Sequence, residues 1–208
     1  MTSLICWIGV DSRGPASAYI ATDSRISWPG RGTWDLGRKT FVSAASPDIF
    51  GYSGGVVFPS IVLSQYVSAL DGRLQSGEFA HRFAALEELI RVSFAALPAT
   101  ARTSFEIVHC GRDGDRMESE FRVAVLSWTS HRGFERMLLP RPDRSAAIRL
   151  SGSGRATVEE RLVAWQATPA KDTTRVLFRG FVDALARGAD PTSGGAPQLV
   201  GLYRIKLV

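Results

Sequence analysis

Apolar residues along this chain follow two rhythms. Short, nearly unbroken runs at Leu4 to Val10 and Ala18 to Thr22 read as strands, and Asp11-Ser12-Arg13-Gly14-Pro15 between them is turn chemistry, so a hairpin is expected. Further strands are predicted at Thr40 to Val42 and Ile49 to Tyr52, joined by a turn around Ser46-Pro47-Asp48. The period then changes. Pro59 through Leu70 repeats apolar residues at helical spacing, with Pro59 suited to a first turn. A second helix is predicted from Glu78 to Leu97, with Phe79, Phe83, Leu86, Leu89 or Ile90, and Phe94 on one side and Pro98 as its stop. Strands follow at Phe105 to His109, Phe121 to Trp128, Phe134 to Leu139 and Ile148 to Leu150. Helices over Val158 to Trp165 and Thr174 to Arg187 and a last strand from Gln198 to Leu207 complete the inventory.

The order is strands, two helices, strands, two helices, final strand. It lacks βαβ alternation, which disfavours a doubly wound parallel sheet. Two antiparallel sheets, each with one face on the other sheet and one under a helix pair, give an α+β fold: a four-layer αββα sandwich. Residues 1–208 show no linker, repeat or low-complexity stretch and are expected to form a single domain.

Composition narrows the function little. The chain is 45% apolar and 22% charged, with a formal charge of +5 from scattered arginines and no run of like charge, so no nucleic-acid arm is expected. Cys6 and Cys110 make no disulfide framework, and His81, His109 and His131 lack metal-ligand spacing, so neither cofactor nor metal is expected. No apolar run approaches the roughly 18 residues of a membrane span, and the N-terminus lacks a basic, cleavable signal, so the expected location is cytoplasmic.

The candidate chemistry lies in an ordered series of short motifs: Thr2, Asp23 in Ala21-Thr22-Asp23-Ser24-Arg25, Lys39, Ser53-Gly54-Gly55, Gly152-Ser153-Gly154, and Asp190-Pro191-Thr192-Ser193-Gly194-Gly195. A threonine hydroxyl is a weak nucleophile unless a base sits beside it, and a chain-terminal threonine carries one in its own α-amino group. Removal of Met1, which a small second residue permits, creates that group at Thr2. Lys39 can favour the alkoxide and keep the amine neutral, with Asp23 as its counterion. A backbone N–H at Gly54, between a strand and a helix, can hold an oxyanion. Ser153 can bond the terminal amine or the Thr2 hydroxyl, and Asp190 and Ser193 can orient the amine and relay its proton. Each item alone has an ordinary alternative: a Met-Thr start, a solvated lysine, a tight glycine turn or an Asp-Pro loop.

Taken together, the series resembles the proteasome β-subunit family of N-terminal-nucleophile hydrolases, in its bacterial form. Ala21-Thr22-Asp23-Ser24-Arg25 is similar to the family's Ala-Ala-Asp-Ser-Arg, and the distance to Lys39 is the family's. Ser53-Gly54-Gly55 resembles Ala-Gly-Gly, Gly152-Ser153-Gly154 resembles Gly-Ser-Gly, and Asp190 to Gly195 resembles Asp-x-x-Ser-Gly-Gly. The resemblance implies a threonine peptidase acting through an acyl-enzyme ester. Its implied roles are Thr2 as nucleophile, Asp23 and Lys39 as supporting pair, Ser153, Asp190 and Ser193 around the amine, and Gly54 for the oxyanion. It also implies that a peptide or unfolded protein binds as an added strand between Arg25–Ser27 and Gly54–Val56, taking in Arg25, Ser27 and Gly55. Tyr52 would stand at the base of the pocket for the residue before the scissile bond. A homo-oligomeric ring and a separate ATP-dependent unfoldase are the implied partners, since this chain has no phosphate-loop pattern.

The chain departs from the pattern in a longer first hairpin, an extra residue between Lys39 and Gly54, and Cys6, a second candidate nucleophile that would require cleavage after Ile5. Alternative readings are an inactive ring scaffold of the same fold or a small-molecule amidase.

Overall fold

The structure is a computed structural model and describes residues 2–28 and 30–205. Met1, the expected processing site, and Leu207, the expected end of the last strand, lie outside the described residues. Four strands form one antiparallel sheet in the order β10-β1-β2-β11: β1 (Leu4–Asp11), β2 (Gly14–Thr22), β10 (Ala146–Ser151) and β11 (Gln198–Tyr203). Five form a second, in the order β5-β6-β7-β8-β9: β5 (Thr40–Val42), β6 (Asp48–Gly54), β7 (Phe105–Asp113), β8 (Glu120–Thr129) and β9 (Gly133–Leu139). The helices are α1 (Val57–Asp71), α2 (Phe79–Ala95), α3 (Arg155–Gln166) and α4 (Thr174–Arg187).

Three apolar cores separate four layers. Phe50, Tyr52, Ile107 and Leu126 of the larger sheet pack against Val62, Tyr66, Phe83 and Ile90 of α1 and α2. Leu4, Cys6, Ile8 and Ile20 meet Ile49, Val108, Cys110 and Val125 between the sheets. Ile5, Trp7 and Ala21 pack on Val158, Leu162, Leu177 and Phe181 of α3 and α4. Successive strand residues point to opposite faces, so Leu4, Cys6 and Ile8 enter one core while Ile5 and Trp7 enter another. A strand covered on both faces therefore reads as an unbroken apolar run rather than an alternating one. The antiparallel architecture and the helix pairs expected from the sequence are both present.

One element differs from expectation. A two-stranded ribbon, β3 (Ile26–Trp28) and β4 (Gly32–Trp34), stands apart from both sheets. Arg31 N donates to Trp28 O at 3.0 Å to close it. Its strands are three residues each and both tryptophans are half exposed, so it has no buried face to impose an apolar rhythm.

Local chemistry sets the helix ends near the site. α1 begins directly after Gly54-Gly55, with Pro59 in its first turn. The α2 amide at Phe79 donates to Asp113 Oδ1 at 2.7 Å, and Thr173 caps α4 by accepting from Val176 N. None of the helices among the described residues is long and apolar enough to cross a membrane.

Candidate active site

Thr2 and Ser3 lead into β1, and pairing of Leu4 with Thr22 sets them beside the end of β2, where Asp23 follows. Asp23 N donates to Ser3 O at 3.1 Å, and Ser3 N donates to Asp23 Oδ1 at 3.0 Å. The β1–β2 hairpin carries a register shift between Gly9 and Val10, far from Thr2. Lys39 enters just before β5. Its ammonium donates to Thr2 Oγ1 and to Asp23 Oδ1, each at 2.9 Å, and to the Arg25 carbonyl. Thr2, Asp23 and Lys39 are all fully buried.

A lysine so enclosed is stabilised only by the partners it meets. Burial pushes the Lys39 ammonium below its ordinary range, and the Asp23 carboxylate opposes that shift. The other Asp23 oxygen accepts from Gly194 N at 3.0 Å and Arg25 N at 3.3 Å, so backbone donors share its charge. The result is a positive charge held at hydrogen-bond distance from a threonine hydroxyl inside a water-poor pocket. Such a charge can stabilise an alkoxide.

The Gly152-Ser153-Gly154 turn presses against the same backbone. Gly152 has φ +87°, and a Cβ there would sit 1.8 Å from the Thr2 carbonyl oxygen, so no other residue fits without displacing Thr2. Gly154 N donates to that oxygen at 3.4 Å. Ser153 itself is exposed, with Oγ 3.0 Å from Thr192 Oγ1, which in turn donates to Asp190 Oδ1 at 2.6 Å. Burial works against the Asp190 carboxylate, yet hydrogen bonds from Ser153 and Thr192 hold it below its usual range. Ser193 Oγ donates to Ser3 Oγ at 2.6 Å, so it approaches the cluster through Ser3.

Three of the remaining expected residues frame a groove. Gly54, at φ +92°, ends β6 against the Ser104 carbonyl, and Gly55 N donates to Ser104 O at 2.8 Å. Gly54, Gly55 and Ser27 line a groove of about 1110 Å³ together with Trp28, Val56 and Ile61, and among the described residues no charged side chain lines it. Arg25 turns its guanidinium away into a bidentate pair with Asp35, at 2.7 and 2.9 Å, and onto the Pro191 carbonyl. Tyr52 does not line the groove. It is sealed in the core under α1, its hydroxyl donating to Arg38 O at 3.2 Å.

Cys6 faces the core between the sheets, Sγ to Sγ 3.4 Å from Cys110, and fully buried. Burial pushes the Cys110 thiol well up. Among the described residues, no group of three or more His, Cys, Asp or Glu is placed to hold a metal ion. Ser3, Thr192, Asp35 and Gln198 also join the site, outside the motifs' expected residues. Only Asp35 carried a legible signal, as the acidic residue ten positions from Arg25 across the turn of the β3–β4 ribbon.

No family model and no curated protein sequence matches this chain. Solved structures do. HslV from Trypanosoma brucei superposes with a TM-score of 0.60 at 13% identity, covering 96% of this chain and 99% of that one. BPH from Thiobacillus denitrificans, in complex with epoxomicin, gives 0.61 at 15% identity, covering 98% and 100%. A second structure of that protein gives 0.59 at 16%, covering 97% and 98%. The fold is that of the proteasome β-subunit-like N-terminal-nucleophile hydrolases.

Proposed function

We propose that the protein is a threonine-type peptidase whose nucleophile, Thr2, is freed by removal of Met1. The observation that carries this reading is the buried Lys39 ammonium, 2.9 Å from both Thr2 Oγ1 and Asp23 Oδ1. The liberated α-amino group, with an ordinary pKa of roughly 7.7–8.0, takes the hydroxyl proton as Oγ1 attacks the amide carbon. Lys39 stabilises the developing alkoxide, and the Gly54 amide receives the oxyanion of the tetrahedral intermediate. Collapse breaks the C–N bond, the α-ammonium protonates the departing amine, and an ester on Thr2 remains. The same amine then activates a water that hydrolyses the ester and restores the hydroxyl. Ser153, Asp190 and Ser193 orient the amine, with Asp190 reaching Ser153 through Thr192.

The substrate is a peptide or unfolded protein laid as a strand between Arg25–Ser27 and Gly54–Val56, with apolar side chains favoured by the uncharged groove. We further propose a homo-oligomeric ring in the cytoplasm, fed by a separate ATP-dependent unfoldase. The half-exposed Trp28 and Trp34 and the exposed Leu36 give the ribbon an apolar surface suited to subunit contact.

Fluorogenic peptides bearing Leu, Arg or Glu before the scissile bond test the reading. The protein is expected to cleave the Leu peptide preferentially, and Thr2→Ala, still processed at Met1, is expected to cleave none. Equal turnover by the two proteins would overturn it.

A further inference from the structure

Lys39 reaches the cluster from the end of the segment 35–38, and its ammonium can be no better placed than that backbone. On one side the end of β2 stitches the segment down. Ser24 Oγ donates to Asp35 O at 2.6 Å, Gly37 N donates to Ser24 O at 2.9 Å, and Arg25 pairs with Asp35. On the other side one side chain, Gln198, acts in both directions. Its Oε1 accepts from Lys39 N at 2.8 Å and lies 3.3 and 3.4 Å from Thr40 N and Oγ1, while its Nε2 donates to Gly37 O at 2.6 Å. Gln198 opens β11 and pairs with Thr22, the residue before Asp23. The amide therefore spans from the strand beside Asp23 to the backbone that carries Lys39.

We infer that Gln198 is a positioning residue, which fixes Lys39 against Thr2 and Asp23 by clamping Gly37, Lys39 and Thr40 to the start of β11. The chemistry asks for glutamine. Asparagine is a methylene short, glutamate has no donor for Gly37 O, and alanine has neither donor nor acceptor. A misplacement of about 1 Å in a supporting group costs on the order of a hundredfold in rate, so a clamp here has kinetic leverage. The kinetic consequence rests on the threonine-peptidase reading; the clamp itself does not.

The chain holds three lysines, Lys39, Lys171 and Lys206, so protein labelled only in lysine gives a sparse and assignable NMR spectrum. In folded Gln198→Ala the Lys39 amide is expected to exchange at least about tenfold faster and its side-chain Cε signal to shift, with Lys171 unchanged. Turnover is expected to fall about tenfold or more in kcat, with KM within about twofold. Gln198→Glu keeps the acceptor, so it should restore Lys39 amide protection. Its added negative charge should also move the alkaline limb of the pH–rate profile upward, which lost packing alone would not do. Unchanged Lys39 signals and kcat in Gln198→Ala would overturn the inference. Shifted Lys39 signals in a protein whose unmodified form hydrolyses nothing would leave the clamp standing and remove the peptidase reading instead.

Discussion

The site's electrostatics turn on one buried ion pair, Lys39 with Asp23. Replacing Lys39 with methionine keeps the stem and deletes the ammonium, leaving Asp23 buried without its counterion. Lys39→Met is expected to lower hydrolysis by at least about a hundredfold. It should also cost on the order of 3–5 kcal/mol of stability, read as a lower melting temperature beside the loss of turnover. Full activity in this variant would remove Lys39 from the mechanism. Thr2, Asp23 and Lys39 were legible in the sequence because each stands in a motif at a characteristic distance from the next. Gln198 was not, because its role depends on a side chain reaching across from the opposite end of the chain, with no local pattern to mark it. The glycines around Ser153 were legible as a turn, but their reason lies in the backbone of Thr2, which only the fold brings against them.

At the scale of elements, α2 is tied to the larger sheet by a buried polar network. Asp48 of β6 accepts from His109 of β7 at 2.7 Å and pairs with Arg82 of α2 at 2.8 Å, while Arg82 also faces Asp113. The His109 ring is stacked on Phe50 and packed beside Phe79. Burial holds the imidazole below its usual 6.5, with Asp48 opposing. Between that lowered value and 6.5 the unfolded chain binds the proton more tightly, so stability falls as pH drops through the window, by at most about 1.4 kcal/mol per pH unit. Burial works against Asp48 too, but His109 and Arg82 keep it below 3.8, so its contribution is lost only in stronger acid. Melting temperatures of the unmodified protein should fall between pH 7 and 5, and His109→Gln, which can still donate to Asp48, should flatten that fall. Parallel pH dependence in the two would refute the assignment. The sequence presented His109 only as a histidine without metal spacing, and its partners come from two other elements, β6 and α2. The β3–β4 ribbon escaped for a different reason, since short exposed strands leave no apolar rhythm.

For the whole molecule, the order of elements and their apolar runs were enough to expect two sheets between helix pairs. The three cores explain why, because strands covered on both faces must be apolar throughout. What composition does not encode is assembly. A ring predicts that sedimentation velocity finds a discrete species several times the 22.6 kDa chain mass. It also predicts that Trp28→Glu with Trp34→Glu breaks that species into monomers. A monomer at micromolar concentration in the unmodified protein would contradict the ring.

Everything proposed for the site depends on Thr2, once exposed, acting as a nucleophile activated by Lys39. Intact-mass spectrometry of the purified protein, with and without a peptidyl epoxyketone, addresses it most directly. Loss of Met1 is expected, with a single adduct that maps to Thr2 and disappears in Lys39→Met. Retained Met1 with no adduct, or an adduct on Cys6, would contradict it.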